Sequence, residues 1–341
     1  MTFDPDAAGA PDSGVYGLPF KPEEARVVIV PVPFEATTSY GGGAAAGPAA
    51  VLNASRQVDL FDRETGKPYE QGIAMLAIPE MVIAWNDEGK ALAAPIVEAG
   101  GVRDESERAI AAKVDELGDR LNDWVYRTTH ELLAMGKLVV TLGGDHSVPF
   151  GSIRAHAEQF PGMGILHLDA HADLRHRYEG FHWSHASIFN NVIREIPDVG
   201  KLVQVGVRDI GRAEFEMIEQ SGGKIVTWFD PDIASEKDRG TPFAEIADRI
   251  VAGLPGDVYL SWDIDGLDPT LCPHTGTPVP GGLSWHEAIS LLRAVVRSGR
   301  RIVGLDLCEV SPGDTEWDAN VGARLLYKMI GFALLSTDHT R

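Results

Sequence analysis

The sequence is poor in cysteine, has no long apolar run and carries no excess of positive charge. Only Cys272 and Cys308 occur among 341 residues, so we expect free thiols and a reducing, cytoplasmic location rather than a disulfide framework. No apolar run reaches the roughly 18 residues of a membrane span, and the acidic N-terminus lacks the apolar core of a secretory signal. Membrane proteins and disulfide-rich secreted domains are therefore not expected.

The charge balance excludes a further class of partner. Lys and Arg number 30 and Asp and Glu number 50, which gives a formal net charge of −20. Because a basic face is the usual mark of nucleic-acid binding, nucleic acid is not an expected partner. An acidic field favours the approach of a small cationic molecule, although acidic surfaces often serve solubility alone.

Apolar runs alternate with amphipathic segments, and apolar residues make up 44% of the chain. We predict about eight strands, at 26–31, 73–78, 137–142, 164–166, 201–207, 224–228, 257–262 and 301–307. Predicted helices cover 48–56, 105–135, 243–251 and 320–335, and Gly118 is a candidate break in the second of these. Three more helices are predicted by one end only: one begins near 148, one ends near 193, and one begins at a capping box on Ser284. This order predicts an α/β protein with a mostly parallel sheet and helices on both faces.

No linker, repeat or shift of composition divides the chain after its first residues. Residues 1–25 are rich in Asp, Pro, Gly and Ala and are predicted to form an irregular arm. Residues 26–341 are predicted to form a single domain.

Side chains with metal-binding chemistry concentrate just after the strand at 164–166. His167, Asp169, His171 and Asp173 occupy alternate positions. Alternate side chains of an extended segment point the same way, so the last three would converge, with His167 deeper on that face. Carboxylates and imidazoles suit metals of the manganese type, with zinc or nickel less favoured. The plain alternative is a set of solvated acids.

Two other strand ends carry the same types of side chain. His146 follows the strand at 137–142, and Asp263 and Asp265 follow the seventh predicted strand. Parallel sheets place their ligands at carboxyl ends, and adjacent carboxylates repel unless a cation neutralises them. Four carboxylates and two imidazoles match two cations, because one cation with six protein ligands would have no open position for catalysis.

Three loops are candidates for the walls of a substrate cleft. Residues 175–187 are unusually dense in aromatic, cationic and imidazole groups, so we expect them to face a substrate. The glycine-rich stretch 40–48 fits neither nucleotide-binding glycine pattern, and close backbone approach is its expected use. The stiff segment 275–282 is predicted to form a pocket wall, with Thr277 as a substrate contact.

These motifs together resemble the signatures of the ureohydrolases, the family of arginases, agmatinases and their relatives. The matching segments, in the expected order, are GGDHS at 143–147, DAHAD at 169–173, SWDIDGLDP at 261–269, TGTP at 275–278 and EVSP at 309–312. The resemblance covers roughly residues 26–335. It implies a three-layer α/β/α fold, two Mn²⁺ ions, a homo-oligomer of three or six chains, and hydrolysis of a guanidinium compound to urea and an amine.

The resemblance also implies a role for each site residue. One metal ion would be held by His146, Asp169, Asp173 and Asp263, and the other by Asp169, His171, Asp263 and Asp265. Glu309 would bind the guanidinium group through paired hydrogen bonds, and His185 would handle the proton of the departing amine, with His182 as its competitor. Two such cations would lower the pKa of bound water enough to supply a nucleophile near neutral pH.

The sequence favours an agmatinase-like substrate over arginine. Two positions that arginases use to hold the amino-acid end of arginine are Arg175 and Gly211 here, which disfavours arginase activity. The segment at 184–185 is closer to agmatinases, whose substrate has no carboxylate. Agmatine-type substrates lead, a preference that rests on the family resemblance alone.

Two other guanidinium substrates remain open. Arg175 and Arg177 would suit the carboxylate of a guanidino acid, as in a guanidinobutyrase. Trp183, with Tyr178 and Phe181, would instead fill the pocket and admit only free guanidine, as in a guanidinase, and nickel then becomes the alternative metal.

Two readings from other classes fit part of the pattern. A catalytically silent, metal-binding homologue would keep the ligands, but intact His185 and Glu309 argue against it. A deacetylase on a related fold would keep a single zinc site, and the six retained ligands argue against that. A urea assay and the metal stoichiometry separate these readings.

Overall fold

One eight-stranded sheet organises the chain, whose computed structural model describes residues 3–7, 9–10 and 12–338. The strands are β1 (Val27–Val32), β2 (Ile73–Met75), β3 (Leu138–Gly143), β4 (Gly164–Leu168), β5 (Lys201–Val207), β6 (Ile225–Phe229), β7 (Asp257–Asp263) and β8 (Arg301–Cys308). Their order is β2-β1-β3-β8-β7-β4-β5-β6, and every described pair of neighbours runs parallel. The predicted α/β class is confirmed.

The strands are apolar throughout because both faces of the sheet are covered. In β1, Val27 and Ile29 belong to one apolar cluster. Val28 and Val30, which point to the opposite side, belong to another. The sheet is therefore the middle of three layers, as the resemblance implied.

Ten helices occur in the described part of the chain. They are α1 (Gly47–Ser55), α2 (Glu80–Glu98), α3 (Glu105–Ala134), α4 (Phe150–Gln159), α5 (Ile188–Glu195), α6 (Arg212–Gln220), α7 (Asp230–Asp238), α8 (Phe243–Ala252), α9 (Trp285–Arg297) and α10 (Trp317–Asp338). Packing joins α1, α10, α9 and α8 in one series and α2, α3, α4 and α5 in another. Within that part of the chain, none of the helices has both the length and the apolar character needed to cross a membrane.

Three helices lie where the sequence predicted none. Helix α2 contains Gly89 and Pro95, and α6 and α7 have nine residues each, so their periodic signals are weak. The candidate break at Gly118 is wrong, because α3 is continuous from residue 105 to 134. A Cβ on Gly118 would lie 2.5 Å from Trp183 Cδ1, so this glycine serves close packing rather than a kink.

The N-terminal arm packs against its own chain. A short 3-10 turn at Val15–Gly17 buries Tyr16, whose backbone N–H donates to Ser55 Oγ at 2.8 Å and whose hydroxyl donates to the Ala323 carbonyl at 3.1 Å. Residues 1, 2, 8 and 11 lie outside the described residues. We propose that residues 1–25 form an arm and the rest one domain, because a single sheet connects the rest.

Candidate metal centre and substrate cleft

The predicted metal ligands and Glu309 lie at the carboxyl edge of four neighbouring strands. His146 follows β3, Asp169 follows β4, Asp263 ends β7 and Glu309 follows β8. These strands are adjacent in the order β3-β8-β7-β4, and all run parallel. Parallel strands bring their carboxyl ends to one edge, so residues far apart in sequence meet there.

The six predicted ligands form one connected cluster. His146 Nδ1 lies 3.0 Å from Asp169 Oδ2 and 3.4 Å from one carboxylate oxygen of both Asp173 and Asp263. His171 Nδ1 lies 3.4 Å from Asp169 Oδ1 and 3.2 Å from Asp265 Oδ2. Asp169 therefore faces one imidazole with each of its oxygens. Two overlapping donor groups that share Asp169 are the result.

The cluster has buried negative charge that the described side chains do not fully compensate. Burial, followed by the charge of neighbouring carboxylates, raises the pKa of both Asp173 and Asp263. The buried Asp265 Oδ2 has the ion-pair contact with His171 but accepts no hydrogen bond in the described structure. Although burial acts in the opposite direction, Asp265 and Asp169 raise the pKa of His171 to about 12. Oxygen-rich donors that attract positive charge this strongly fit divalent cations.

Hydrogen bonds behind His146 prepare its Nδ1 as a ligand atom. Its Nε2 lies 3.0 Å from Ser261 Oγ, and the Ser261 hydroxyl donates to Asp306 Oδ1 at 3.0 Å. Because that hydroxyl proton is committed to Asp306, Ser261 can accept the proton of Nε2, and Nδ1 is the nitrogen that faces the carboxylates and that a metal ion would take. Asp306 was not predicted from the sequence, where its only mark is an acidic side chain inside the mostly apolar strand β8.

His167 supports the cluster from below. Gln204 Nε2 donates to His167 Nδ1 at 3.0 Å, so the ring proton sits on Nε2, which lies 2.8 Å from Asp169 Oδ2. Burial lowers the pKa of His167, which keeps the ring neutral. His167 therefore donates to a candidate ligand and orients it, in agreement with its predicted deeper position.

Glu309 lies beside the cluster in a constrained conformation. Its φ of 62° is in the left-handed region, which a glutamate adopts only when its surroundings impose it. Its Oε1 accepts from the backbone N–H of His146 at 3.1 Å, and its carbonyl accepts from the Thr275 hydroxyl at 2.9 Å. Burial and the nearby carboxylates of Asp263 and Asp145 raise the pKa of Glu309. A cationic group next to this side chain would be favoured.

A cleft of about 390 Å³ opens above the cluster. Its lining includes the predicted residues His171, Asp173, Arg175, His185 and Thr277, together with Ser39, Tyr40, Tyr178, Ala186, Asp209, Glu214, Pro278 and Val279. Burial lowers the pKa of His185 to about 4, which keeps this imidazole neutral. Its Nδ1 lies 3.5 Å from Ser184 Oγ.

Trp183 does not line this cleft, and its predicted substrate contact is not supported. Its ring packs on Gly118 and lies 4.7 Å from the Phe150 ring, and its Nε1 donates to Asp119 Oδ1 at 2.7 Å. The indole is therefore part of the interface between this loop and α3. Arg177 is also held outside the cleft, because its Nη1 donates to Asp115 at 2.9 Å.

Arg175 and Asp209 both line the cleft, but only Arg175 has a partner of opposite charge. Arg175 Nε lies 3.7 Å from Glu214 Oε2, and its guanidinium carbon lies 4.9 Å from the centre of the Tyr178 ring. Asp209, beside His171 in a parallel bridge, lines the cleft, and the described residues offer its carboxylate no hydrogen bond or ion pair. Asp209 was not predicted from the sequence, although it is the second residue after β5 and so lies near a strand end like the other site acids.

Fold and site together define an α/β protein with candidate donor groups for two metal ions at the carboxyl edge of a parallel sheet, an arrangement that suits a metal-dependent hydrolase. The profile of the arginase family matches residues 25–331, and the chain belongs to that family. The predicted family and enzyme class are confirmed: this is a hydrolase of carbon–nitrogen bonds that releases urea from guanidino compounds.

Relatives named as ureohydrolases or agmatinases align with most of the chain. An N(1)-aminopropylagmatine ureohydrolase of Thermus thermophilus is 37% identical over 310 residues, which cover 91% of this chain and 90% of that protein. An agmatinase of Proteus mirabilis is 38% identical over 215 residues, covering 62% and 64%. The solved agmatine ureohydrolase of Thermoplasma volcanium shares the fold, with a TM-score of 0.71, 24% identity and coverage of 96% and 97%.

Proposed function

We propose that this chain hydrolyses agmatine, or a guanidino amine of similar form, to urea and a diamine. The main support for this class of substrate is the carboxylate of Asp209, which has no partner among the described residues and lines the cleft that leads to the candidate metal cluster. A guanidino amine has a guanidinium group at one end and an ammonium at the other. Glu309 would hold the first and Asp209 the second, each through charge-assisted hydrogen bonds.

The metal positions support the same reaction. We propose that His146, Asp169, Asp173 and Asp263 hold one ion and that Asp169, His171, Asp263 and Asp265 hold the other. Manganese is the proposed metal because four carboxylates and two imidazoles form an oxygen-rich donor set. Two bound divalent cations would supply a water molecule with a pKa low enough for attack at neutral pH.

Two residues of the chain have tasks of their own in this reaction. Glu309 orients the guanidinium so that its central carbon faces the cluster. His185, kept neutral by burial, can accept a proton and pass it to the departing amine. Because its Nδ1 faces Ser184, Nε2 is the nitrogen proposed to make this transfer.

The alternative substrates have less support from the cleft. A guanidino acid needs a cation for its carboxylate, but Arg175 already faces Glu214 and Arg177 is bound to Asp115. Free guanidine needs a closed pocket, but Trp183 packs in the core and the cleft holds about 390 Å³. Both compounds remain useful comparisons in the assay.

The proposal is tested by urea release. We would load the protein with manganese, and separately with nickel, and assay agmatine, N(1)-aminopropylagmatine, guanidinobutyrate, arginine and guanidine. Glu309→Gln is expected to lower kcat/KM for agmatine by at least about 100-fold, the scale of losing a charged contact made in the transition state. Glu158→Gln on α4, outside the cleft, is the matched control and should keep the wild-type rate.

Several outcomes would overturn the assignment. Urea from guanidinobutyrate or guanidine alone would move the substrate to those classes. Two bound metal ions without urea from any compound would favour a catalytically silent homologue.

The predicted oligomeric state and cellular location of the protein remain proposals as well. We propose a homo-oligomer of three or six chains, which rests on the family resemblance. We also propose a cytoplasmic location, which is supported by the two buried, unpaired cysteines, Cys272 and Cys308. Size-exclusion chromatography with light scattering would test the first, and cell fractionation the second.

A further inference from the structure

His274 connects the loop that carries Thr277 to the start of α10, next to a second contact in which Trp317 Nε1 donates to the Thr270 carbonyl at 2.9 Å. The His274 backbone N–H donates to Asp318 Oδ1 at 2.9 Å, and the ring Nδ1 lies 2.8 Å from Asp318 Oδ2. The other ring nitrogen, Nε2, lies 3.2 Å from Asp314 Oδ1. His274 therefore uses its backbone and both ring nitrogens in contacts with two carboxylates.

The two carboxylates differ sharply in their surroundings. The Asp318 side chain is completely buried in the first turn of α10, whereas 90% of the Asp314 side chain is exposed. Buried charge-assisted hydrogen bonds are worth more than exposed ion pairs, which water and salt weaken. The Asp318 contact is therefore the stronger one. Gly313 makes room for the imidazole, because a Cβ at that position would overlap its ring.

The residues that follow His274 contact the site directly. The Thr275 hydroxyl donates to the Glu309 carbonyl, and a Cβ on Gly276 would lie 3.5 Å from Glu309 Oε2. On its other side, Gly276 packs against the glycine-rich loop, since a Cβ on Gly41 would lie 2.6 Å from the Gly276 carbonyl oxygen. Thr277 then lines the cleft. A shift of this segment would move the cleft wall and the carbonyl contact of Glu309 together.

We propose that His274 is a positioning residue for the substrate cleft. Through its bond to the buried Asp318, it holds Thr275 and Gly276 against Glu309, and it thereby keeps the wall at Thr277 at the distance that substrate binding requires. The inference rests on the proposed function for its kinetic readout. His274 touches neither the metal cluster nor the cleft, so its effect passes through the segment that it anchors.

Two substitutions at this position separate its two ring contacts. The side-chain amide of Asn occupies the place of the histidine Nδ1, so His274→Asn keeps the donor to Asp318. The longer Gln places its amide near Nε2, so His274→Gln keeps only the donor to Asp314. Asp314→Asn, which alters the exposed contact alone, is the matched control.

We expect His274→Gln to raise KM for agmatine about tenfold, the effect of losing one charge-assisted hydrogen bond. Its kcat should stay within about twofold of wild type, because the wall contacts substrate and transition state alike. His274→Asn and Asp314→Asn should both keep KM within about twofold. Amide hydrogen exchange should become faster in the segment 272–278 of His274→Gln only, a readout that needs no substrate.

An unchanged KM and unchanged exchange in His274→Gln would overturn the inference. Equal kinetic losses in the Asn and Gln variants, with equally lowered melting temperatures, would also overturn it, because that pattern marks a residue needed only for folding. If the wild-type protein releases no urea, the proposed function fails, and the exchange comparison alone still decides the role of His274.

Discussion

At the scale of single residues, Asp209 is the acid to which the proposed function assigns the choice of substrate. Its carboxylate lines the cleft and has no partner among the described residues, whereas the other site acids face imidazoles or backbone N–H groups. An acid in this position can discriminate between guanidinium compounds by their distal group without touching the reacting carbon.

Asp209→Asn is therefore expected to raise KM for agmatine about tenfold, because a charge-assisted hydrogen bond to the distal ammonium becomes a neutral one. Any turnover of free guanidine, which has no distal group, should be unaffected. Steady-state kinetics on both compounds measure this, with the exposed Asp198→Asn as control. An equal loss for both compounds would assign Asp209 to the structure of the site.

His156 gives a prediction about pH and stability. This residue is completely buried in α4, and burial lowers its pKa to about 4. Because the unfolded chain takes up a proton near pH 6.5 and the folded chain does not, stability should fall between about pH 6.5 and 4. For this group alone the loss would reach about 3 kcal/mol.

Urea denaturation across that range tests the assignment. His156→Phe keeps an aromatic ring at this position but cannot titrate, so its free energy of unfolding should decline less steeply below pH 6.5. Parallel declines for the two proteins would assign the acid sensitivity to other groups.

At the scale of elements, α3 shows how a glycine can be misread. Glycine is unfavourable inside a helix, and for that reason Gly118 stood out as a candidate break. The helix nevertheless continues, since the missing side chain allows Trp183 to pack closely on it. Local propensity favoured an interruption, and tertiary packing determined the outcome.

Gly118→Ala tests this explanation, because two effects oppose each other. Alanine improves helix propensity by about 1 kcal/mol, whereas its Cβ would lie only 2.5 Å from Trp183 Cδ1. Overpacking of this kind costs about 1–3 kcal/mol, so we expect a net loss of stability. In a Trp183→Leu background the loss should disappear, and stabilisation by Gly118→Ala in the wild-type background would contradict the explanation.

Other elements followed directly from local sequence. Ser284 and Glu287 form the predicted capping box: the Glu287 backbone N–H donates to Ser284 Oγ, and the Ser284 backbone N–H donates to Glu287 Oε2 at 2.9 Å. Strand β5 has the predicted bounds, because its apolar run is clearly delimited. Helices α6 and α7 were missed because short, polar segments owe their form to tertiary contacts.

At the scale of the whole molecule, metal binding is expected to connect the site with stability. Four buried carboxylates at one sheet edge repel each other, so cations that bind the folded chain should stabilise it. Manganese at 100 times its Kd would add about 2.7 kcal/mol, and removal by a chelator would reverse the gain.

Thermal unfolding of two variants would separate metal binding from charge repulsion. Without metal, Asp263→Asn should be at least as stable as the wild type, because one buried negative charge is removed. With manganese, the melting temperature of the wild type should rise and that of Asp263→Asn should rise much less. An equal rise in both proteins would place the metal elsewhere.

The sequence by itself determined the apolar strands, their parallel arrangement and the ligand types at the strand ends. These features follow from local patterns and from the rule that parallel strands share one carboxyl edge. Sequence spacing alone therefore identified His146, Asp169 and Asp263 as candidate neighbours, although more than 20 residues separate each from the next.

Only the tertiary structure decided which side of each loop faces the cleft. In the structure, Trp183 is buried against α3, and Asp209 lines the cleft without a partner among the described residues. Asp306 lies behind His146, and His274 contacts Asp318. The physical reason is that these positions depend on contacts between segments far apart in the chain. Periodicity describes the face of a regular strand or helix, but an irregular loop has no period from which the direction of a side chain could be predicted.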